Sequence, residues 1–207
     1  MGVESWIKTT VKCLVVIAHP LRNSLCQALA THAINSLRSA GHEVQIEHLY
    51  DQSFAPALTA AERQSYYTAK FDASSLATEI AHLTEAEALV LVFPTWWFGL
   101  PAMLKGWFDR VWAPGVAYDH AVDLGAIQPR LSKLRYALAI TTLGSPWWVD
   151  RLVMWQPIKR QLKTALIGTC APACKFRMLS LYQSEKVNSI VFTKFCDRIS
   201  AALVRWK

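Results

Sequence analysis

Ala88–Trp112, ALVLVFPTWWFGLPAMLKGWFDRVW, is the stretch on which the fold turns. Its first six residues, Ala88–Phe93, form an unbroken apolar run, the composition of a strand buried on both faces of a parallel sheet. Pro94 has no backbone donor and ends that strand. From Leu100 the period changes. Leu100, Met103, Leu104, Trp107, Phe108 and Val111 fall on one helical stripe, and Pro101 suits the first turn. Strand, loop and helix in that order make a βα unit, and the loop between them carries three aromatic residues in a row.

The alternation extends both ways along the chain. Val11–Ala18 (VKCLVVIA) predicts a buried strand, and Glu43–Leu49 a short one. Between them, Ser24 to about Ala40 reads as a helix through Leu25, Ala28, Leu29, Ile34 and Leu37, with Gly41 as its stop. Residues 51–72 are polar, contain Pro56 and place Thr59 ahead of a short helix, so they read as an ordered excursion over the surface. A helix over 74–84 leads back to Ala88. Downstream, Leu134–Thr142 predicts a fourth strand, 150–168 a basic amphipathic helix, Lys175–Leu181 a fifth strand and Glu185–Trp206 a last helix. Strands alternating with helices imply right-handed crossovers. The expected fold is therefore α/β, a five-stranded parallel sheet with helices on both faces in a three-layer sandwich. Residues 1–10 read as an N-terminal extension and 11–207 as a single domain, since no repeat or linker interrupts them.

The 207 residues are 53% hydrophobic, ample for a core, which excludes a disordered or fibrous chain. No apolar run reaches the roughly 18 residues of a spanning helix, and the first ten residues lack a signal peptide's apolar segment, so a cytoplasmic location is expected. Cys13, Cys26, Cys170, Cys174 and Cys196 are odd in number, lack paired zinc spacing and lie in or beside apolar sequence, as buried reduced thiols do. The net charge of +7 is uneven, because residues 150–207 hold 11 Lys and Arg against 3 Asp and Glu. Such an end attracts nucleic acid, an anionic membrane surface or a phosphorylated cofactor, or is simply a solvated helical face. Without a zinc-finger or RNP-type pattern, nucleic acid is not expected.

In a doubly wound sheet, ligands bind beyond the carboxyl ends of strands. Three loops lie there. His19-Pro20-Leu21-Arg22-Asn23-Ser24 offers a helix cap at Asn23 or Ser24, free amides, a hydroxyl and a positive helix end, with Arg22 nearby. That suits a phosphate, and it also describes an ordinary capped turn. The second loop places Trp96, Trp97 and Phe98 at a wet edge, where a planar ligand must cover them unless Trp107 and Trp112 do. The amides of Thr95–Phe98 could meet such a ligand's polar edge. The third, Thr141-Thr142-Leu143-Gly144-Ser145-Pro146-Trp147-Trp148, offers two hydroxyls, close backbone approach at Gly144 and a second aromatic pair. No dinucleotide-binding, phosphate-loop or nucleophile-elbow motif occurs, and the six histidines show no metal spacing. His19 alone ends a strand, where it either braces its loop or binds phosphate.

Phe93–Trp112 closely resembles the NAD(P)H:quinone oxidoreductase family. Ala18-His19-Pro20 with Ser24 resembles that family's first-strand loop, and Thr141-Thr142-x-Gly144 its third flavin loop, so the likeness covers about residues 11–148. The resemblance implies a flavodoxin-like fold, a homodimer, and hydride transfer from NADH or NADPH through bound FMN or FAD to a quinone or similar small acceptor. By motif, His19, Ser24 and Leu25 would approach the flavin phosphate. Pro94, Thr95, Trp96, Trp97 and Phe98 would hold the isoalloxazine, joined by Thr141, Thr142 and Gly144, with Trp107 and its helix supporting them and the dimer.

The chain departs from the family in places. Where animal members place a tyrosine and a histidine after the third loop, this chain has Trp147, Trp148 and Val149, with Trp155 beyond, so no catalytic side chain is expected. The asparagine after the phosphate-loop serine is replaced near Cys26, and the animal enzymes' longer C-terminal extension has no counterpart, which favours FMN with FAD as the alternative. A flavin needs little from side chains for hydride transfer, so Trp147 and Trp148 would wall a slot used in turn by donor and acceptor, giving ping-pong kinetics. The missing pair and the basic end equally suit a non-catalytic flavin-binding regulatory subunit, like the ancillary proteins of potassium-efflux systems. The basic end could also meet anionic lipid, and Arg151 the 2′-phosphate of NADPH.

Overall fold

A computed structural model describes residues 10–51, 54–68, 71–121 and 125–207. In chain order run β1 (Lys12–Ile17), α1 (Leu25–Ser39), β2 (Glu43–His48), α2 (Ala60–Ser65), α3 (Ala77–Glu85), β3 (Ala88–Pro94) and α4 (Ala102–Val111). Then follow the two-residue strands β4 (Tyr118–Asp119) and β5 (Gln128–Pro129), β6 (Tyr136–Thr142), α5 (Pro157–Arg160), α6 (Gly168–Cys170), β7 (Lys175–Leu181) and α7 (Ser189–Leu203). Five strands pair in parallel in the order β2-β1-β3-β6-β7. Chain order therefore reverses about β1, which opens a crevice at the carboxyl edge between β1 and β3. Register levels that edge: Ile17 lies opposite Val92, Phe93 opposite Thr141 and Thr142 opposite Leu181.

Successive strand residues point to opposite faces, and both faces are covered. Leu14, Val16, Leu89, Leu91 and Phe93 pack with Leu83 of α3 and with Leu104, Trp107 and Val111 of α4. Val15, Ile17, Val90, Val92 and Ile140 pack with Leu29, Ala33 and Leu37 of α1 and with Phe195, Ile199 and Leu203 of α7. The three-layer α/β sandwich expected from the alternation is the one observed. Each fully buried Leu, Ile or Val contributes about 1.5–3 kcal/mol, which is why continuous apolar strands specify a two-sided sheet. His32 of α1 joins α7 through Nε2, 2.9 Å from Ser200 Oγ and 3.1 Å from the Cys196 carbonyl.

Two expectations change. The helix over 150–168 is broken: a wide turn at Val149–Val153 ends at Trp155 and Gln156, both left-handed at φ 58° and 49°, and the helix restarts at Pro157. Proline has no amide for an interior helical bond and its ring clashes with the preceding turn. The Gln156 amide donates instead to the Asp150 carbonyl at 2.8 Å. The excursion, as far as it is described, lends residues to the core, since Phe54 and Phe71 are buried. Arg110 on α4 donates to both oxygens of the buried Glu62 at 3.0 Å and to Ser75 Oγ at 3.0 Å. Pro56 approaches so closely that a Cβ on Gly106 would meet its carbonyl oxygen at 2.2 Å. The antiparallel ribbon of β4 and β5 has no sequence signal, since two residues carry no period.

All five cysteines are free. No described helix is long and apolar enough to cross a membrane. Among the described residues no group of three His, Cys, Asp or Glu could hold a metal. The first nine residues of the expected N-terminal extension lie outside the described residues.

Candidate functional site

At the first loop the chain leaves β1 with the Ala18 amide donating to the Val92 carbonyl at 2.9 Å. The Leu21 amide donates to His19 Nδ1 at 3.0 Å, so the imidazole braces its own loop. Ser24 has extended backbone and accepts from the Gln27 amide through Oγ at 3.2 Å, while its carbonyl takes the Ala28 amide at 3.0 Å. The amides of Leu25 and Cys26 precede any intrahelical acceptor and face out of the helix end. No acid occupies the first turn of α1, so that end keeps its positive character. Arg22 is ion-paired with Asp51. A cleft of about 810 Å³ lies in front, lined by Ser24, Leu25 and Thr31 on one side and Asn188 and Phe192 on the other.

The second loop is a tight turn. Trp96 and Gly99 exchange amide-to-carbonyl bonds at 3.1 and 2.7 Å, with Trp97 and Phe98 between them at φ 49° and 57°. That is the two-residue hairpin geometry for which Asn and Gly are the usual residues, and left-handed backbone costs a bulky residue about 1–2 kcal/mol. Its result is that Trp97 is 97% and Trp96 58% exposed. Trp107 and Trp112 do not cover them; both are buried and pack on Phe108 at 5.1 and 5.3 Å. The Thr95 amide donates to the Thr142 carbonyl at 2.9 Å. Of the four amides from Thr95 to Phe98, those of Trp97 and Phe98 are therefore left for a ligand.

The third loop laces the other two together. Thr141 Oγ1 is 2.8 Å from Thr95 Oγ1, and Thr142 Oγ1 is 3.4 Å from Cys26 Sγ. Both threonines are buried, so their hydroxyls brace the loops. Burial pushes the Cys26 thiol up to about 11, against the pull of the Thr142 hydroxyl, and leaves it a neutral thiol. A Cβ on Gly144 would lie 3.4 Å from Glu185 Oε1, an ordinary contact. Trp147 and Trp148, at the start of the next turn, are about half exposed at 53% and 49%.

Two contributors escaped the sequence. Ser145 Oγ, next to Gly144, is buried without a hydrogen-bond partner. Glu47 of β2, fully buried, accepts from Trp107 Nε1 at 2.8 Å and lies 2.8 Å from His82 Nδ1. Burial raises its pKa, opposed by the bonds to His82 and Trp107. This carboxyl ties α4, the helix that leaves the aromatic turn, to the far edge of the sheet. Neither residue had a local signal, because each is defined by neighbours remote in sequence.

Comparison with known proteins agrees with the fold. The family described by its flavodoxin-like fold matches residues 11–189. Over 152 residues the chain is 32% identical to the NAD(P)H dehydrogenase (quinone) 1 of Cavia porcellus, an alignment covering 65% of this chain and 54% of that protein. The chain thus spans about half the length of that curated relative. The solved NAD(P)H:quinone oxidoreductase of Methanothermobacter marburgensis superposes with a TM-score of 0.81 at 21% identity, covering 95% of this chain and 96% of that one. An FMN-dependent NADH-azoreductase of Bacillus anthracis, solved in complex with FMN, gives 0.74 at 14% identity, covering 93% and 98%. At those identities the two structures speak to the fold. The chain therefore belongs to the flavodoxin-like family, and over 152 residues it is similar to a NAD(P)H dehydrogenase (quinone).

Proposed function

We propose that this protein is a flavin-dependent NAD(P)H oxidoreductase that reduces a quinone or similar small acceptor. The observation that carries the reading is the lacing of three loops at one sheet edge, which sets an exposed aromatic turn beside the uncapped amides of α1. The residues present fit a flavin. Leu25 and Cys26 offer amides at a positive helix end, with Ser24 beside them, and suit a phosphate. The amides of Trp97 and Phe98 and the partnerless Ser145 hydroxyl lack acceptors or donors that a ring's polar edge would supply. His19, Ser24 and Leu25 would hold the phosphate, and Pro94, Thr95, Trp96, Trp97, Phe98 and Gly144 the ring, while the buried Thr141 and Thr142 brace the loops from beneath. FMN is the proposed cofactor, and FAD the alternative that the cleft between Ser24 and Asn188 would admit.

When bound, the flavin supplies the hydride-accepting centre. The chain's own residues orient and enclose. Trp147 and Trp148, about half exposed, would wall one side of the ring site, so that nicotinamide and acceptor would use a single slot in turn. The buried Thr95–Thr141 pair holds the second and third loops at a fixed spacing, which is the positioning that hydride transfer requires. A homodimer and a cytoplasmic setting belong to the same proposal.

The test is the absorption spectrum of the purified protein, the mass of whatever it releases on denaturation, and initial rates with NADPH, NADH and a soluble quinone. A flavin spectrum and parallel reciprocal lines are expected. Colourless protein that neither FMN nor FAD reconstitutes would overturn the cofactor, and intersecting lines the single slot. Flavin-loaded protein that oxidises neither nicotinamide would make the chain a regulatory flavin-binding subunit.

A further inference from the structure

β7 reads Lys175-Phe176-Arg177-Met178-Leu179-Ser180-Leu181, and alternate residues of a strand share a face. Leu179 and Leu181 pack with Ile140 against α7, so Lys175 and Arg177 stand on that same face, paired in register with Tyr136 and Leu138. The face is apolar at its carboxyl half and cationic at its amino half. A cavity of about 290 Å³ lies there, where α7 stops at Leu203, and it is lined by Tyr136, Leu138, Lys175, Arg177, Arg205 and Trp206. Leu138 and Trp206 are buried and give it an apolar side, and the Tyr136 and Trp206 rings stack on each other at 5.6 Å.

Among the described residues no carboxylate is ion-paired with Lys175, Arg177 or Arg205. The neighbouring Arg135 is already held, by Glu87 at 2.9 Å and by the Lys207 carbonyl at 2.7 Å. Three unpaired cations around one partly apolar cavity repel one another, and its walls screen that repulsion less than water does. An anion inside the cavity relieves it. Residues two apart on a strand are separated by about 6.6 Å, so Lys175 and Arg177 address two anionic groups, and each arginine fork matches a phosphoryl group bidentately. The volume is that of about ten waters, which suits a compact ligand. We propose that this cavity binds a compact diphosphate, either the free ion or a short ester. Tyr136 and Lys175 begin their strands, so about 20 Å of β6 separates the cavity from the third loop. The proposal goes beyond the enzymatic reading and does not depend on it.

The experiment is calorimetric titration of the purified protein, carrying whatever cofactor it holds, with pyrophosphate, a short alkyl diphosphate, orthophosphate and citrate at low salt. One saturable site is expected, at least about tenfold tighter for the diphosphates than for orthophosphate or citrate and weakened by added salt. The tighter of the two diphosphates names the source. The double variant Lys175→Gln, Arg177→Gln is expected to lose at least about tenfold in diphosphate affinity, yet to melt without ligand at or above wild type because a like-charge contact is relieved. Arg205→Gln, beyond the end of α7, is expected to weaken binding as well and tests the site independently of the strand. Wild-type protein that takes up no diphosphate, citrate bound as tightly as diphosphate, or variants that bind diphosphate as wild type does, would overturn the proposal.

Discussion

Trp97 holds a backbone conformation that its own side chain disfavours, at φ 49°, and exposes 97% of its surface in doing so. Strain of this kind persists where the surrounding structure over-determines it, and it clusters at ligand clamps. Replacing Trp97 by Gly relieves about 1–2 kcal/mol of left-handed strain against about 0.5–1 kcal/mol of added chain freedom in the unfolded state. Flavin-free Trp97→Gly is therefore expected to melt at or slightly above wild type, while its flavin affinity falls by about tenfold for the lost stacking. Melting curves and a flavin fluorescence titration check both halves; lower melting with unchanged affinity would reverse the assignment. Burial shapes the thiols as well, pushing the pKa of Cys13 and Cys174 up to about 12 and that of Cys26 up to about 11. Native protein is expected to react slowly with iodoacetamide at neutral pH, and all 5 cysteines to react once it is unfolded.

At the scale of elements, α4 is the strut of the site. Trp107 joins it to Glu47, Arg110 joins it to Glu62 and Ser75, and Gly106 lets Pro56 pack against its backbone. Arg110→Ala removes one partner of a buried pair and is expected to cost about 3–5 kcal/mol, read from urea unfolding. Burial alone would raise the Glu62 pKa, but the Arg110 bonds and the Thr59 amide outweigh it and hold the carboxyl below the usual 4.5. Its contribution is fully present above that value and is lost as pH falls through the lower folded value. Glu47 works in the opposite sense. Its raised pKa makes its contribution greatest below 4.5 and diminishes it as pH rises through the folded value. Stability measured against pH should lose part of its acid limb in Glu62→Gln, whereas Glu47→Gln should flatten the decline above 4.5; unchanged profiles would remove both roles.

For the whole molecule, the proposed cofactor would couple its binding to folding. A flavin present at a hundred times its dissociation constant would add about 2.7 kcal/mol to the folded state, or about 5–10 °C of melting temperature at this chain length. Melting with FMN and with FAD is expected to rise on that scale for the true cofactor and less for the other. No rise with either would count against the site. Charge is a property of the same scale. The surplus of 8 positive charges in residues 150–207 lies on the segments that follow the third loop, so salt should act on surface association more than on folding.

The order of strands and helices and their packing in three layers were legible in the sequence, because a buried strand and an amphipathic helix each write their period into consecutive residues. The three loops were legible for the same reason, as polar or aromatic interruptions at strand ends. Ser24 was readable as a cap because capping is a contact across three residues. What tertiary structure decided lies at longer range. The amides of Thr95 and Trp96 are taken by Thr142 and Gly99, Arg110 reaches Glu62 across 48 positions, and Glu47 meets Trp107 across 60. The break at Trp155 and Gln156 belongs to this class too, since the amphipathic pattern runs through it and only Pro157 hints at a stop. Local propensity and periodicity are sums over neighbours in the chain and so are written in its order. A hydrogen bond between residues dozens of positions apart exists only once folding has brought them together.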